Sequence, residues 1–205
     1  GQQRDTAGLS LFCIAADAPG VQVQALPTYD GAHTARVNLK DVVAGADALL
    51  GPLDGAWPQV EAAIDTATVM QCAMSVGTME KAFELTKAYV TERTQFGRAL
   101  SSHQVMRHRL VDLYVSLAQA RAITEAAAAA LGEAPAVRQR ATSLAKAFVA
   151  PAGRKLGEEA VQMHGAIGMT DETEVGHCYK KLAAQANWLG DDAWHLARLD
   201  HCDAT

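Results

Sequence analysis

The chain has 205 residues, 49% of them hydrophobic, and a net charge of −5. That apolar content supports a packed core and excludes a disordered chain, and the length suits one large domain or two small ones. The acidic balance, with no run of Lys or Arg, argues against a nucleic-acid partner; no apolar stretch reaches the roughly 18 residues that a membrane-spanning helix needs.

Residues 1–53 read as strands. Leu9 to Ile14, Val21 to Leu26 and Thr34 to Leu39 are short apolar or alternating runs, punctuated by Ala18-Pro19-Gly20 and Gly31. Alternation with period two between Gly and Pro is the pattern of half-buried strands. About three strands make a sheet too small to stand with open edges. This partial β-domain is therefore expected to pair with something outside the chain or to pack on helices.

Residues 54–205 read as helical. Between 60 and 89, Ile64, Val69, Met70, Met74, Val76, Met79, Phe83 and Leu85 recur near helical spacing. A second helix is expected over 102–131, with Ser101 or Ser102 as N-cap and Gly132 and Pro135 as the stop. A third is expected over 136–163, where Pro151 predicts a kink or break. A fourth is expected over 173–186, with a tail to His201. Long helices with short links imply a mainly α fold, an antiparallel four-helix bundle. The run Ala126 to Ala130 is expected at a close helix–helix contact in preference to reflecting helix propensity alone.

Cys13, Cys72, Cys178 and Cys202 lie far apart with no CxxC spacing. They read as reduced, mostly buried thiols of a cytoplasmic protein. The histidines show no metal-ligand pairing. No nucleophile elbow, phosphate loop or HExxH segment occurs. Arg107-His108-Arg109 is a basic spot expected on a solvated helix face.

Two segments carry candidate chemistry. In Gln162-Met-His-Gly-Ala-Ile-Gly-Met-Thr-Asp-Glu172 a helix runs into Gly165 and Gly168, and the acids Asp171 and Glu172 follow. An acid there suits the first turn of the next helix, but it also suits a general base at the mouth between helices. The glycines suit a left-handed helix cap or a close backbone approach to a ligand. In Arg93-Thr-Gln-Phe-Gly97 a helix ends at a glycine. Its arginine either faces solvent or grips phosphate oxygens with its planar fork; Gln95 adds polar contacts and Phe96 offers a ring to wedge against another.

The order of these segments resembles the C-terminal half of the flavin-dependent acyl-CoA dehydrogenases. Ala18-Pro-Gly20-Val21 is similar to the end of that family's middle β-domain. Arg93-Thr-Gln-Phe-Gly97 followed by His103-Gln104 is similar to its Arg-x-x-Phe-Gly signature, and Gln162-Met-His-Gly165-Ala166-Ile-Gly168 to its Gln-x-x-Gly-Gly-x-Gly segment. The resemblance is collinear over roughly residues 8–195. It implies α,β-dehydrogenation of an acyl-CoA thioester to a trans-2-enoyl-CoA with FAD as cofactor. It assigns the α-proton to Glu172, with Asp171 as the alternative base. Arg93, Gln95, Phe96, Gln162, Gly165 and Ala166 inherit contacts to an FAD held mainly by a neighbouring subunit.

The same resemblance implies an electron-transfer flavoprotein as electron acceptor. It implies a homo-oligomer, or a hetero-oligomer with a second acyl-CoA dehydrogenase-like chain, and a role in fatty acid or steroid side-chain catabolism. It leaves two alternatives: a catalytically silent subunit completing a partner's FAD site, and an acyl-CoA oxidase or flavin monooxygenase relative. Three departures stand out. Ala166 replaces the second glycine, which would be strained if that backbone needs a positive φ. Leu189-Gly190-Asp191 replaces a late Glu-Gly-Thr. The family's N-terminal domain and first strands have no counterpart, so the chain reads as a fragment or a half-size subunit.

Overall fold

The structure, a computed structural model, describes residues 6–203, with side chains described as far as Asp200. The expectations for His201 and Cys202 fall outside the described side chains. By its contacts the chain divides into two units, after Ile64.

The first unit holds β1 (Leu11–Phe12), β2 (Val21–Leu26), β3 (Thr34–Leu39) and β4 (Leu49–Leu50). β2 and β3 pair antiparallel along their whole length, with Val23 opposite Val37, and β1 pairs with β4 over two residues. The two longer strands have the expected bounds. The first is shorter than its apolar run, and β4 is too short for any pattern to announce it. Gly20 has φ +89°, and a Cβ there would lie 2.1 Å from the Lys40 carbonyl oxygen. Only glycine lets the chain enter β2 so close to the end of β3.

The helix α1 (Trp57–Glu92) runs on into the second unit. There follow a hairpin of β5 (Thr94–Gln95) and β6 (Arg98–Ala99), then α2 (Gln104–Ala129), α3 (Pro135–His164), α4 (Glu174–Gln185) and α5 (Asp192–Asp203). α3 is the central element and packs against α2, α4 and α5. The expected tail to His201 is a separate helix. The reversal before it falls at Leu189 and Gly190, with φ of 58° and 97°. Pro151 does not break α3. Its neighbours Val149, Ala150, Gly153 and Leu156 are buried, and that packing outweighs one missing backbone hydrogen bond. A Cβ on Gly153 would lie 3.2 Å from Leu182 and 3.6 Å from Met79, so α1, α3 and α4 converge at this small residue.

The core contains Val69, Cys72, Val76, Met79, Phe83, Leu113, Leu117, Val149, Leu156 and Leu182. Ile64, Met70 and Met74, expected on the apolar stripe of α1, are exposed. The buried face instead carries Asp65, Thr68, Gln71, Ser75 and Thr86. Of the run Ala126 to Ala130, Ala127 is buried in the core and Ala130 is half-buried, so one face of the run is packed and the rest is exposed.

The polar residues of the α1 face meet partners far away in sequence. Asp65, fully buried, accepts from Arg138 Nε at 2.9 Å and Arg198 Nη1 at 2.7 Å. Lys146 Nζ donates to Gln71 Oε1 at 2.7 Å and to the Gln185 carbonyl at 2.6 Å. Ser75 links Gln71 to Gln185. Burial lowers the Lys146 ammonium to about 8 and, on the same core face, raises the Cys72 thiol to about 11. His195 bonds the Leu189 carbonyl through Nε2, so Nε2 carries the proton and Nδ1 accepts from Ser143 Oγ. Burial lowers its pKa to about 4.

Candidate functional site

The Arg93–Gly97 segment is not a helix end capped by glycine. α1 stops at Glu92, and the chain turns through a two-residue loop, Phe96-Gly97, between β5 and β6. Both loop residues have positive φ, 54° and 77°, the geometry of a type I′ hairpin turn. That geometry suits Asn-Gly or Gly-Gly and strains a bulky residue. Phe96 holds it nonetheless, 87% exposed at the tip, with its ring edge-on to His103. His103 Nδ1 accepts from Arg98 at 3.1 Å, and its buried Nε2 has no partner.

The second segment closes α3. Gly165 has φ 72° and ψ −147°, which only glycine adopts freely. Ala166 is not among the positive-φ residues, so alanine in place of the second glycine carries no backbone strain. Gly168 serves a different end. A Cβ there would lie 2.9 Å from the Val161 carbonyl, so the turn folds back tightly on α3.

These two segments, with the start of α2, enclose a cleft of about 570 Å³. Arg93, Gln95, Gln162, Gly165 and Ala166 all line it. Five of the six residues expected at the cofactor are thus brought together, although about 70 residues separate the two motifs. Tyr89 and His164 form one wall as a parallel stack, with centroids 4.4 Å apart and planes at 23°. His164 Nδ1 donates to the Ala160 carbonyl at 2.8 Å, which fixes the ring. Among the described residues no aspartate or glutamate lines the cleft, and two arginines, Arg93 and Arg109, do.

Phe96, Asp171 and Glu172 do not line it. Asp171 bonds Lys180, which holds its carboxyl below the ordinary range. Glu172 is exposed and has no hydrogen bond or ion pair among the described residues.

Arg109, Tyr89 and His164 escaped the sequence reading. The basic spot at 107–109 divides: Arg107 and His108 are exposed outside the cleft, while Arg109 lines it beside Met106, one turn earlier. The spacing of Met106, Leu110 and Leu113 carried that signal, since it sets Arg109 at the margin of the apolar stripe. A second groove of about 380 Å³ lies between α1 and α2, lined by Glu80, Glu84 and Glu125 around Phe83 and Tyr114. Its acidic rim is unsuited to an anionic ligand.

Residues 55–200 match the family model of the acyl-CoA dehydrogenase C-terminal domain. Acyl-CoA dehydrogenase IpdE2 of Mycolicibacterium smegmatis is 34% identical over 79% of this chain and 48% of its own length. The fold superposes on butyryl-CoA dehydrogenase of Megasphaera elsdenii with a TM-score of 0.91 at 20% identity, covering all of this chain and 54% of that one. It superposes on a chain of the ChsE4–ChsE5 complex of Mycobacterium tuberculosis with a TM-score of 0.85 at 25% identity, over 95% of this chain and 52% of that one. The chain spans about half the length of the curated relatives it matches.

Proposed function

This chain belongs to the acyl-CoA dehydrogenase family, and on that premise we propose that it supplies the helical half of an FAD-dependent α,β-dehydrogenase of acyl-CoA thioesters. One observation carries the reading. Five residues named from two separate motifs line a single cleft that holds two arginines and no acid. Its donors fit an anionic dinucleotide: the Arg93 fork for phosphate oxygens, the Gln95 and Gln162 amides for further acceptors, and the Tyr89–His164 stack for a flat ring. FAD, when bound, supplies the acceptor for the hydride that leaves the β-carbon. Gly165 turns the backbone at the cleft wall without a side chain, and Phe96 offers an exposed ring at the hairpin tip to a second chain.

Glu172 is the proposed base for the α-proton, with Asp171 as the alternative. A specific observation favours a second reading, in which this chain is the silent partner of a catalytic one. Both acids lie outside the cleft, Glu172 exposed and Asp171 already bonded to Lys180. The similarity to a chain from a two-component complex supports a hetero-oligomer with a second acyl-CoA dehydrogenase-like chain. An electron-transfer flavoprotein is the proposed electron acceptor, and steroid or fatty acyl thioesters the proposed substrates.

The test is an absorption spectrum of the full-length protein, then anaerobic titration with acyl-CoA thioesters. Flavin bands that bleach with one thioester class support dehydrogenation; a colourless protein that binds no flavin overturns it. Glu172→Gln then separates the two readings. Retained flavin with lost bleaching makes Glu172 the base; if bleaching is unchanged, Asp171→Asn added to it decides, since loss then makes Asp171 the base and bleaching that survives both changes makes this chain the silent partner.

A further inference from the structure

We infer that Arg109 is a second phosphate-binding arginine of the cleft, held in place by Glu159 and released to a nucleotide diphosphate that enters. The inference rests on the cofactor reading above and concerns a residue which that reading does not use.

The geometry of the arginines separates Arg109 from the structural ones. Arg121 meets Glu80 at 2.6 Å, Arg138 meets Asp65 at 2.9 Å and Arg198 meets Asp65 at 2.7 Å. These are lengths of well-formed charge-assisted hydrogen bonds. Arg109 Nη1 stands 3.3 Å from Glu159 Oε2. That carboxylate oxygen is buried, yet it receives no hydrogen bond of proper geometry. A guanidinium has five N–H donors in a planar fork. This one is half-exposed, lines the cleft, and has no other partner among the described residues.

Arg93 also has donors to spare. It lines the cleft and its side chain has no partner among the described residues. The two side chains come from different elements, Arg93 from the start of the hairpin and Arg109 from α2. A diphosphate presents two phosphoryl groups, each of which accepts a fork of two hydrogen bonds. Two arginines around one acid-free cleft match that ligand better than a single phosphate. Glu159 acts in opposition to it. The acid keeps the guanidinium oriented while the cleft is empty and competes with the incoming anion for the same donors. FAD and coenzyme A both carry an adenosine diphosphate group, so either is a possible source of this chemistry.

The experiment titrates FAD and coenzyme A separately into the full-length protein and into its Arg109→Met, Glu159→Gln and Arg93→Ala variants, following flavin fluorescence for FAD and heat for coenzyme A. Arg109 is half-exposed and Glu159 partly buried, so the melting temperature of each variant is measured to verify that it folds. Arg109→Met is expected to weaken one of the two ligands at least about tenfold, and the one weakened identifies the source. Glu159→Gln is expected to bind that ligand as tightly as the unmodified protein or more so. Arg109→Met binding both ligands normally overturns the inference, as does Glu159→Gln weakening binding as much as Arg109→Met. If Arg93→Ala loses FAD while Arg109→Met loses nothing, only this inference falls. If the unmodified protein binds neither ligand, the cofactor reading falls with it.

Discussion

The helical unit holds its charges in two contrasting ways. In the seam between α1, α3 and α5, Asp65 is fully buried and takes donors from Arg138 and Arg198 within 2.9 Å. At the cleft Arg93 has no side-chain partner among the described residues, and Arg109 has one at 3.3 Å. A charge sealed from water must be matched by protein groups, because nothing else is there to match it. A charge left with spare donors at a concave surface is free to meet a ligand. The seam is therefore read as structure and the cleft as function, although arginine supplies the cations of both.

Removing the seam's acid should break the contrast most severely. Asp65→Ala removes the buried carboxylate that both guanidinium groups share. Loss of one partner from such a buried arrangement costs about 3–5 kcal/mol. Thermal unfolding should show a fall on the order of 10 °C, whereas Arg109→Met should show none. Equal effects at the two places would remove the distinction.

The seam also predicts a pH dependence. His195 is held neutral by burial, with its pKa lowered from 6.5 to about 4. The unfolded chain binds the proton more readily throughout that window. The contribution is therefore complete above the unfolded value of 6.5 and is lost as pH falls towards 4. At roughly 1.4 kcal/mol per pH unit the loss approaches about 3 kcal/mol. Chemical denaturation between pH 7 and 4 should give a steeper decline for the unmodified protein than for His195→Gln, and parallel curves would refute the assignment. Lys146, lowered to about 8, adds stability in the same direction as pH rises from about 8 towards its ordinary value.

Legibility in the sequence follows the same division. The strands at 21–26 and 34–39 and the helices α1 to α4 were readable because period two and period 3.6 are local properties. The seam was not. Asp65 pairs with residues 73 and 133 positions away, and Lys146 with one 75 away. The apolar stripe drawn on α1 consequently included Met70 and Met74, which face outward, and omitted Gln71 and Ser75, which face inward. At the cleft the two motifs were readable as motifs, and five of their residues meet. Arg109 was not, since its neighbours Arg107 and His108 suggested a solvated face. The hairpin at Phe96-Gly97 was hidden by its position directly after a long helix, where a glycine reads as a cap. Pro151 misled in the opposite sense, because tertiary packing of its neighbours is invisible locally.

At the cleft, Arg93→Ala is the stronger test of ligand chemistry. An exposed arginine whose side chain has no partner among the described residues contributes little to folding, so the melting temperature should not move. Its fork on a phosphate contributes about 1.5–3 kcal/mol, so the dissociation constant for FAD should rise about tenfold to a hundredfold. Flavin fluorescence during titration of the apoprotein measures this directly. A variant that melts early while binding flavin normally would transfer Arg93 from the functional set to the structural one.

The smallest expected effect has the opposite sign and sharpens the contrast furthest. Phe96 sits at φ 54° in a turn that favours asparagine before glycine, and 87% of it is exposed. A structural residue would not be held there: the backbone is strained and the ring buries almost nothing within the chain. Phe96→Asn should therefore stabilise the hairpin, by about 0.5–1 kcal/mol, since asparagine tolerates the left-handed region. If the ring is there to meet a second chain or its cofactor, the same change should lower oligomer formation or flavin retention while the melting temperature of the isolated chain rises. Sedimentation and thermal unfolding on one sample would show both. A rise in stability without loss of assembly or flavin would leave the strain at Phe96 without a purpose, and the hairpin would then belong with the seam and not with the cleft.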